Sequence, residues 1–386
     1  MISAQKKRSR SPSPSREHPI SSKRKRDRRS TPDLSRSEKM YFLDPDFAEV
    51  KGDIYLRIDN VLFPCICEKL AEAGGFFGGL FSIPQPEQAE LVNGLPYCDM
   101  LDCSADDLRP LLQLLHGFDD VFWATGTEDG EHRCNLENVL SVLKLSARFD
   151  LASCRNQAID AFGQLVDHIC RYLLTKSPAP DEPTVFLVGE NLREDNTMGR
   201  LSFKMVNIFQ ECDLPQFMPF AYYFAAQQPV HAIVDGIVLP NGKKETLSLE
   251  GMKKVLQGKE ALRDLRRNTT FYWITLVASY PQAHYARISM CNSERNCYEF
   301  AASLHSACFR SGSSMLEGRC DALDSLSHSA WETMKNHICE RCQEHYMDLM
   351  VEYRTVSWNR LPLMFGNRSW DQLKKEQVKL DKEWGN

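Results

Sequence analysis

The 386-residue chain lacks any apolar run long enough to cross a bilayer. Its longest runs, such as Phe217–Ala226, are about half of the ~20 residues that a helical span needs. The opening residues lack the apolar stretch of a secretory leader. A chain without that route keeps its thiols reduced. The 14 cysteines are therefore expected as thiols or metal ligands, not as a disulfide framework. Catalytic signatures are missing too. There is no Walker A sequence, no Gly-x-Ser-x-Gly elbow and no His-Glu-x-x-His. Gly74-Gly75-Phe76-Phe77-Gly78-Gly79 imitates a phosphate loop, but no Lys-Ser/Thr follows and its two Phe belong in a core. His116 ends a Leu-rich helix with no carboxylate at local spacing. It reads as a residue serving free helix carbonyls and not as a base. The expectation is a protein that is not an enzyme.

Residues 1–39 are poor in apolar side chains and rich in Ser, Arg, Lys and Pro. Such a stretch cannot offset its ordering entropy by burial, so it is expected to be disordered. It carries a net charge of +9, against −14 for the remainder. The acidic body is a poor surface for phosphate backbones, and the tail has no interleaved aromatics, so specific nucleic-acid binding is not expected. The clusters Lys6-Lys7-Arg8 and Lys23-Arg24-Lys25-Arg26 suit an import receptor, or equally a solvated solubility tail. The expected location is the nucleus or the cytoplasm. Ser11-Pro12, Ser13-Pro14 and Thr31-Pro32 are candidate phosphate acceptors.

Hydrophobic residues make up 42% and charged residues 26% of the chain, which is a globular composition. Ile54, Leu56 and Ile58 alternate, and Asp59-Asn60 turns the chain into Val61–Phe63, the pattern of a β-hairpin. A short helical piece at 67–73 precedes Gly74-Gly75, and Phe76, Phe77, Leu80 and Phe81 follow at helical spacing. Residues 82–96 read as a loop and Tyr97–Leu101 as a strand. Ser104 and Asn135 are N-caps. The stripes Leu108/Leu111/Leu112/Leu115 and Leu136/Val139/Leu140/Leu143/Ala147 mark two amphipathic helices. A third carries Cys154, Ala158, Phe162, Leu165 and Ile169 on one face. Residues 176–198 read as a linker. Helices are expected again at 199–211, at 215–227 (apolar nearly all round, hence buried) and from Ser248 to Arg267. A loop of about forty residues, 279–321, then precedes a long helix at 322–354.

The run Gly52–Phe63, with Leu70-Ala71, Phe76-Phe77, Leu80-Phe81, Leu111–Gly117 and Val139–Asp150, resembles a BTB/POZ domain. The resemblance covers residues 41–172. It is to the BTB/POZ proteins common in mushroom-forming (basidiomycete) fungi, which share the Pro84–Glu87 loop and a helical second domain. Ile338–Cys342, Trp358–Pro362 and Phe365-Gly366 carry the resemblance into that second part. The chain departs from the family at Ile66-Cys67, where a His-Arg pair is usual, and at Gly74-Gly75, where Ser is usual. Two glycines there are expected to weaken local helix by about 1 kcal/mol each relative to Ala. The resemblance implies an α+β BTB/POZ domain at 41–175, a small sheet flanked by helices. A mostly α-helical domain at 199–386 would follow, with the disordered basic tail, 1–39, in front.

Cys339-x-x-Cys342 has the spacing of a zinc half-site, because thiolates at i and i+3 on a helix face one side. A structural site needs two more ligands. The family resemblance points to Cys291 and Cys297, with His337, His345, Cys308 and Cys320 as substitutes. The expected cofactor is one structural zinc, and the alternative is that Cys339 and Cys342 are small buried residues on an amphipathic helix. The resemblance further implies a protein-binding adaptor that forms a homodimer through the BTB/POZ domain, with Tyr41, Phe42 and Phe47 near that interface. Its partner would be a cullin scaffold of a ubiquitin ligase or a nuclear corepressor. The alternatives are an enzyme in the C-terminal domain and a nucleic-acid-associated protein acting through its tail.

Overall fold

The computed structural model describes residues 40–83, 90–124, 133–175, 197–239, 241–269, 272, 274–275, 291, 297–309, 320–323, 334–366 and 368–383. The basic tail, Pro84–Glu87 and residues 176–196 of the expected linker lie outside them, as does the side chain of Cys308.

The chain is mixed α+β. The hairpin forms as the alternation implies: β2 (Ile54–Ile58) and β3 (Val61–Cys65) pair antiparallel, with Ile58 opposite Val61. The turn places Asp59 at φ 50°, a left-handed conformation that Asp tolerates. β1 (Phe42–Leu43) lies parallel to β3 on one edge, and β5 (Leu95–Asp99) lies parallel to β2 on the other side. β4 (Leu91–Val92) closes the five-stranded order β1-β3-β2-β5-β4. β4 falls inside the stretch read as a loop. The signal was Asn93-Gly94, both at positive φ, which is the two-residue hairpin turn. Between β3 and β4 run α1 (Cys67–Glu72) and α2 (Gly75–Ser82). Then follow α3 (Ala105–His116), the small hairpin β6 (Trp123–Ala124) with β7 (Arg133–Cys134), α4 (Leu136–Arg148) and α5 (Ala152–Thr175).

Both caps are made. Ser104 Oγ accepts from Asp107 N at 3.1 Å and Asn135 Oδ1 from Asn138 N at 3.2 Å. The stripes of α3, α4 and α5 bury against the sheet and one another, forming one core with Leu56 and Phe63. That core continues through α6 (Thr197–Glu211) and α7 (Met218–Gln227), because Phe162 of α5 packs its ring edge against Phe209 and Phe217, each at 4.8 Å, and against Phe220. α8 (Val230–Asp235), the hairpin β8 (Ile237–Val238) with β9 (Lys244–Glu245), and α9 (Leu249–Asn268) complete this region. Lys259 of α9 is buried. Its ammonium donates to the carbonyls of Ala226 and Gln228, supplying a cation where α7 ends with unpaired carbonyls.

Three expectations are corrected. The 279–321 stretch contains a helix, α10 (Cys297–Phe309), which buries Cys297 and Ala301. The long helix at 322–354 is broken. A helical turn at 334–337 ends at Ile338-Cys339, and α11 then runs over Glu340–Gly366, followed by α12 (Trp370–Glu383). The break has a visible cause: the Cys339 carbonyl accepts the N–H groups of both Cys342 and Gln343 at 3.0 Å, while its own N–H turns away to Cys297. The paired glycines do not weaken a helix interior. They join α1 to α2 at φ 75° and 51°, and a Cβ on Gly75 would sit 2.3 Å from the carbonyl oxygens of Phe149 and Asp150. Gly75→Ala should therefore be destabilising by about 1–3 kcal/mol, since backbone cannot give way. Gly79→Ala, in open space within α2, should be neutral or stabilise by up to about 1 kcal/mol. Thermal melts of the two variants check the contrast.

His116 serves its own helix by more than position. Its Nδ1 faces the Leu112 carbonyl at 2.8 Å and must donate, while Nε2 accepts the Ile66 N–H at 3.1 Å. The buried ring thus ties α3 to the start of α1, and Lys69 Nζ adds a bond to the His116 carbonyl. Burial pushes the imidazole pKa below its ordinary value, against the opposing effect of the Leu112 bond. The unfolded chain then binds the proton more readily than the folded one. This contribution is complete above about pH 6.5 and falls away as pH drops below it. His116→Gln, which can accept the same N–H but gains no charge, should flatten the fall in melting temperature between about pH 6.5 and 5.

Candidate metal centre

A second, smaller core gathers Ile274, Ala301, Met334, Ile338, Tyr346 and Met350 around cysteines. Two helices, the residue just before one of them and one residue outside them bring the sulfurs together. Cys297 opens α10, Cys342 lies in the first turn of α11, and Cys339 sits one residue before that helix. Cys291 lies outside any helix or strand. The four sulfurs all lie within 4.8 Å of one another. Cys291 Sγ is 3.4 Å from Cys342 Sγ and 3.8 Å from Cys339 Sγ. Four sulfurs placed about 2.3 Å from one tetrahedral centre stand about 3.8 Å apart, so these spacings fit a zinc-sized cation. The structure thus brings the Cys339–Cys342 pair together with Cys291 and Cys297, the two cysteines that the resemblance pointed to.

Three of the substitutes, Cys320, His337 and His345, are not members of the group. Cys320 belongs to the larger core, where its thiol meets the Ala226 carbonyl at 3.0 Å and Lys259 Nζ at 3.5 Å. The His337 ring stacks on Phe300 with centroids 4.7 Å apart. His345 is not in the four-sulfur group.

The electrostatics separate a dry thiol cluster from a metal site. Burial pushes the Cys291 thiol up to about 12 and raises the Cys342 thiol further. Sulfur packed this way, with no cation present, stays protonated. A divalent cation reverses that preference and deprotonates coordinating thiols outright. Two features of the protein favour the thiolate form. Cys339 N–H points at Cys297 Sγ at 3.2 Å, and the free N–H groups at the start of α11 carry positive partial charge beside Cys339 and Cys342. Four protein ligands leave no position open for water, so the arrangement suits a structural metal and not a catalytic one.

A second polar cluster was not foreseen. Asp107 accepts from Ser141 Oγ at 2.9 Å and pairs with Lys204 and Lys144. Burial alone would raise its carboxyl, but the two lysines and Ser141 outweigh it and hold the group below its ordinary value. It lies in an open groove of about 490 Å³ between α3, α4, α6 and the β8–β9 hairpin. The three helices come from distant parts of the chain, so no local spacing announced the cluster.

No helix among the described residues is long and apolar enough to cross a membrane. No protein-family model, no curated protein and no solved structure matches the chain. If the four sulfurs hold a metal, wild-type protein should carry about one zinc per chain by elemental analysis, and Cys339→Ser should lose most of it. A strong chelator should lower the melting temperature of the wild type and leave that variant unchanged.

Proposed function

We propose that the chain is a BTB/POZ-type protein-interaction adaptor whose helical C-terminal part is pinned by one structural zinc. The observation that carries the adaptor reading is the order of elements over residues 41–175. A hairpin, two short helices, the β4–β5 pair whose β5 runs parallel to β2, then α3, the small β6–β7 hairpin, α4 and α5 follow one another, and most residues of the resemblance are buried in the sheet and at the helix interfaces. The metal reading rests on the four converging sulfurs.

Self-association fits the edge of the sheet. β1 is an edge strand among the described residues, a position open to pairing with another chain, and Phe42 (56% exposed) and Leu43 (46%) stand out from it. Phe47 is corrected as an interface candidate. It is fully buried, between Phe63, His116 and Phe118, and orients the 3₁₀ turn that delivers β1 to the sheet. Tyr41 is engaged through its hydroxyl by Arg57 at 2.8 Å. Recruitment of a cullin scaffold or a corepressor, and nuclear entry through Lys6–Arg8 and Lys23–Arg26, belong to the same proposal.

Sedimentation of the full chain should give a homodimer at micromolar concentration. Phe42→Glu with Leu43→Glu should give a folded monomer. A wild type that sediments as a monomer would contradict the self-association. Proximity labelling with the full chain should recover a cullin or a corepressor complex, and recovery of neither would count against the adaptor.

A further inference from the structure

The four sulfurs are not equivalent, and their differences define a chemistry beyond metal holding. Cys297, Cys339 and Cys342 are 1%, 6% and 0% exposed, whereas Cys291 is only partly buried. Cys291 is also the one member that lies outside helical and cap geometry, so its backbone is not fixed by a helix. Cys297 Sγ is occupied by the Cys339 N–H, and Cys342 is locked in the first turn of α11. The sulfur of the accessible member, Cys291, is nearer to that of the most buried one, Cys342, at 3.4 Å, than to that of Cys339, at 3.8 Å. A disulfide needs about 2.05 Å, so closure requires a movement of about 1.4 Å, which Cys291 can supply.

We propose that the cluster is a redox-controlled metal site, in which a hydroperoxide oxidises Cys291 and the Cys291–Cys342 disulfide that follows expels the metal. This rests on the structural-zinc reading given above. The Cys291 sulfur attacks the outer oxygen of the hydroperoxide, the O–O bond breaks, and the alcohol (water, for hydrogen peroxide) leaves. Cys291 is then a sulfenic acid. Cys342 sulfur attacks the Cys291 sulfur, and hydroxide leaves with a proton as water. Two zinc-bound thiolates, one hydroperoxide and two protons from solvent give one disulfide, one alcohol and one water. Zinc is neither oxidised nor reduced. It loses two of four ligands at once, and Cys297 and Cys339 alone do not make a closed site. The consequence lies in the small core, where the cluster links Cys291, α10 and the start of α11.

The test uses the full chain and hydrogen peroxide. Zinc content is first measured on untreated protein, which judges the zinc reading by itself. Oxidation is then followed by a chromogenic zinc indicator and by peptide mapping under non-reducing conditions. The expected result is zinc release in step with a Cys291–Cys342 cross-link, reversed by dithiothreitol with added zinc. In Cys342→Ala, dimedone should trap a sulfenic acid on Cys291 and not on Cys297 or Cys339. Release without that cross-link, a dominant Cys339–Cys342 or Cys297–Cys339 link, or no release at all would overturn the switch while leaving the zinc reading intact. A chain purified without zinc contradicts the zinc reading, and with it the expulsion of a metal. Peptide mapping of the oxidised metal-free protein then judges the disulfide step alone: a Cys291–Cys342 link sustains that pairing, and any other link overturns it too.

Discussion

The gathering of four cysteine sulfurs within 4.8 Å is the constraint on which the smaller of the two described cores depends. Around them the described core is small. Ile274, Ala301, Met334, Ile338, Tyr346 and Met350 are its buried members besides cysteine. Apolar burial contributes about 25 cal/mol per Å², so a cluster of this size contributes little against the ordering of the chain that forms it. A metal bound by four thiolates adds a term of a different order, because metal binding is then part of folding. The break at Ile338-Cys339 has the same origin. A continuous helix would carry Cys339 past the site, whereas the break lets its N–H reach Cys297 and its sulfur join the group.

The larger core rests on ordinary packing. Phe162 links the helices that cover the sheet to α6 and α7, and its ring is the hub of an aromatic group that includes Phe209, Phe217 and Phe220. Several polar groups at the helix contacts pair across distant parts of the sequence. Asp107 meets Lys144 and Lys204, His116 meets Ile66, and Arg155 meets Asp381 at 3.5 Å and the Cys212 carbonyl at 3.1 Å. Each pair fixes one helix against another in a single orientation, which apolar contact alone does not do. The sheet ends in two short edges, β1 and β4, and exposed Phe42 and Leu43 lie on β1.

The local elements were legible because their signals are local. The alternation at 54–58, the caps Ser104 and Asn135, and the stripes of α3, α4 and α5 each involve residues within a few positions of one another. The Cys-x-x-Cys pair was legible for the same reason, and its partners followed from the family resemblance. What was missed was set by tertiary contact. α10 has small residues and cysteine on its buried face, so its apolar signal was masked by the weight given to its cysteines. Phe47 looked like a surface residue near the start of the fold, yet Phe63 and Phe118 enclose it. Gly74-Gly75 read as helix weakening, whereas positive φ and the carbonyl oxygens of Phe149 and Asp150 require glycine at the second position. Lys259 could not be foreseen as buried, since its partners lie on another helix.

The central claim is that these sulfurs form one closed, metal-holding tetrahedron. X-ray absorption at the zinc edge of the purified full chain tests it most directly. The account predicts a single shell of four sulfur atoms at about 2.3 Å. A shell containing nitrogen or oxygen, or protein with no zinc edge above background, would contradict it.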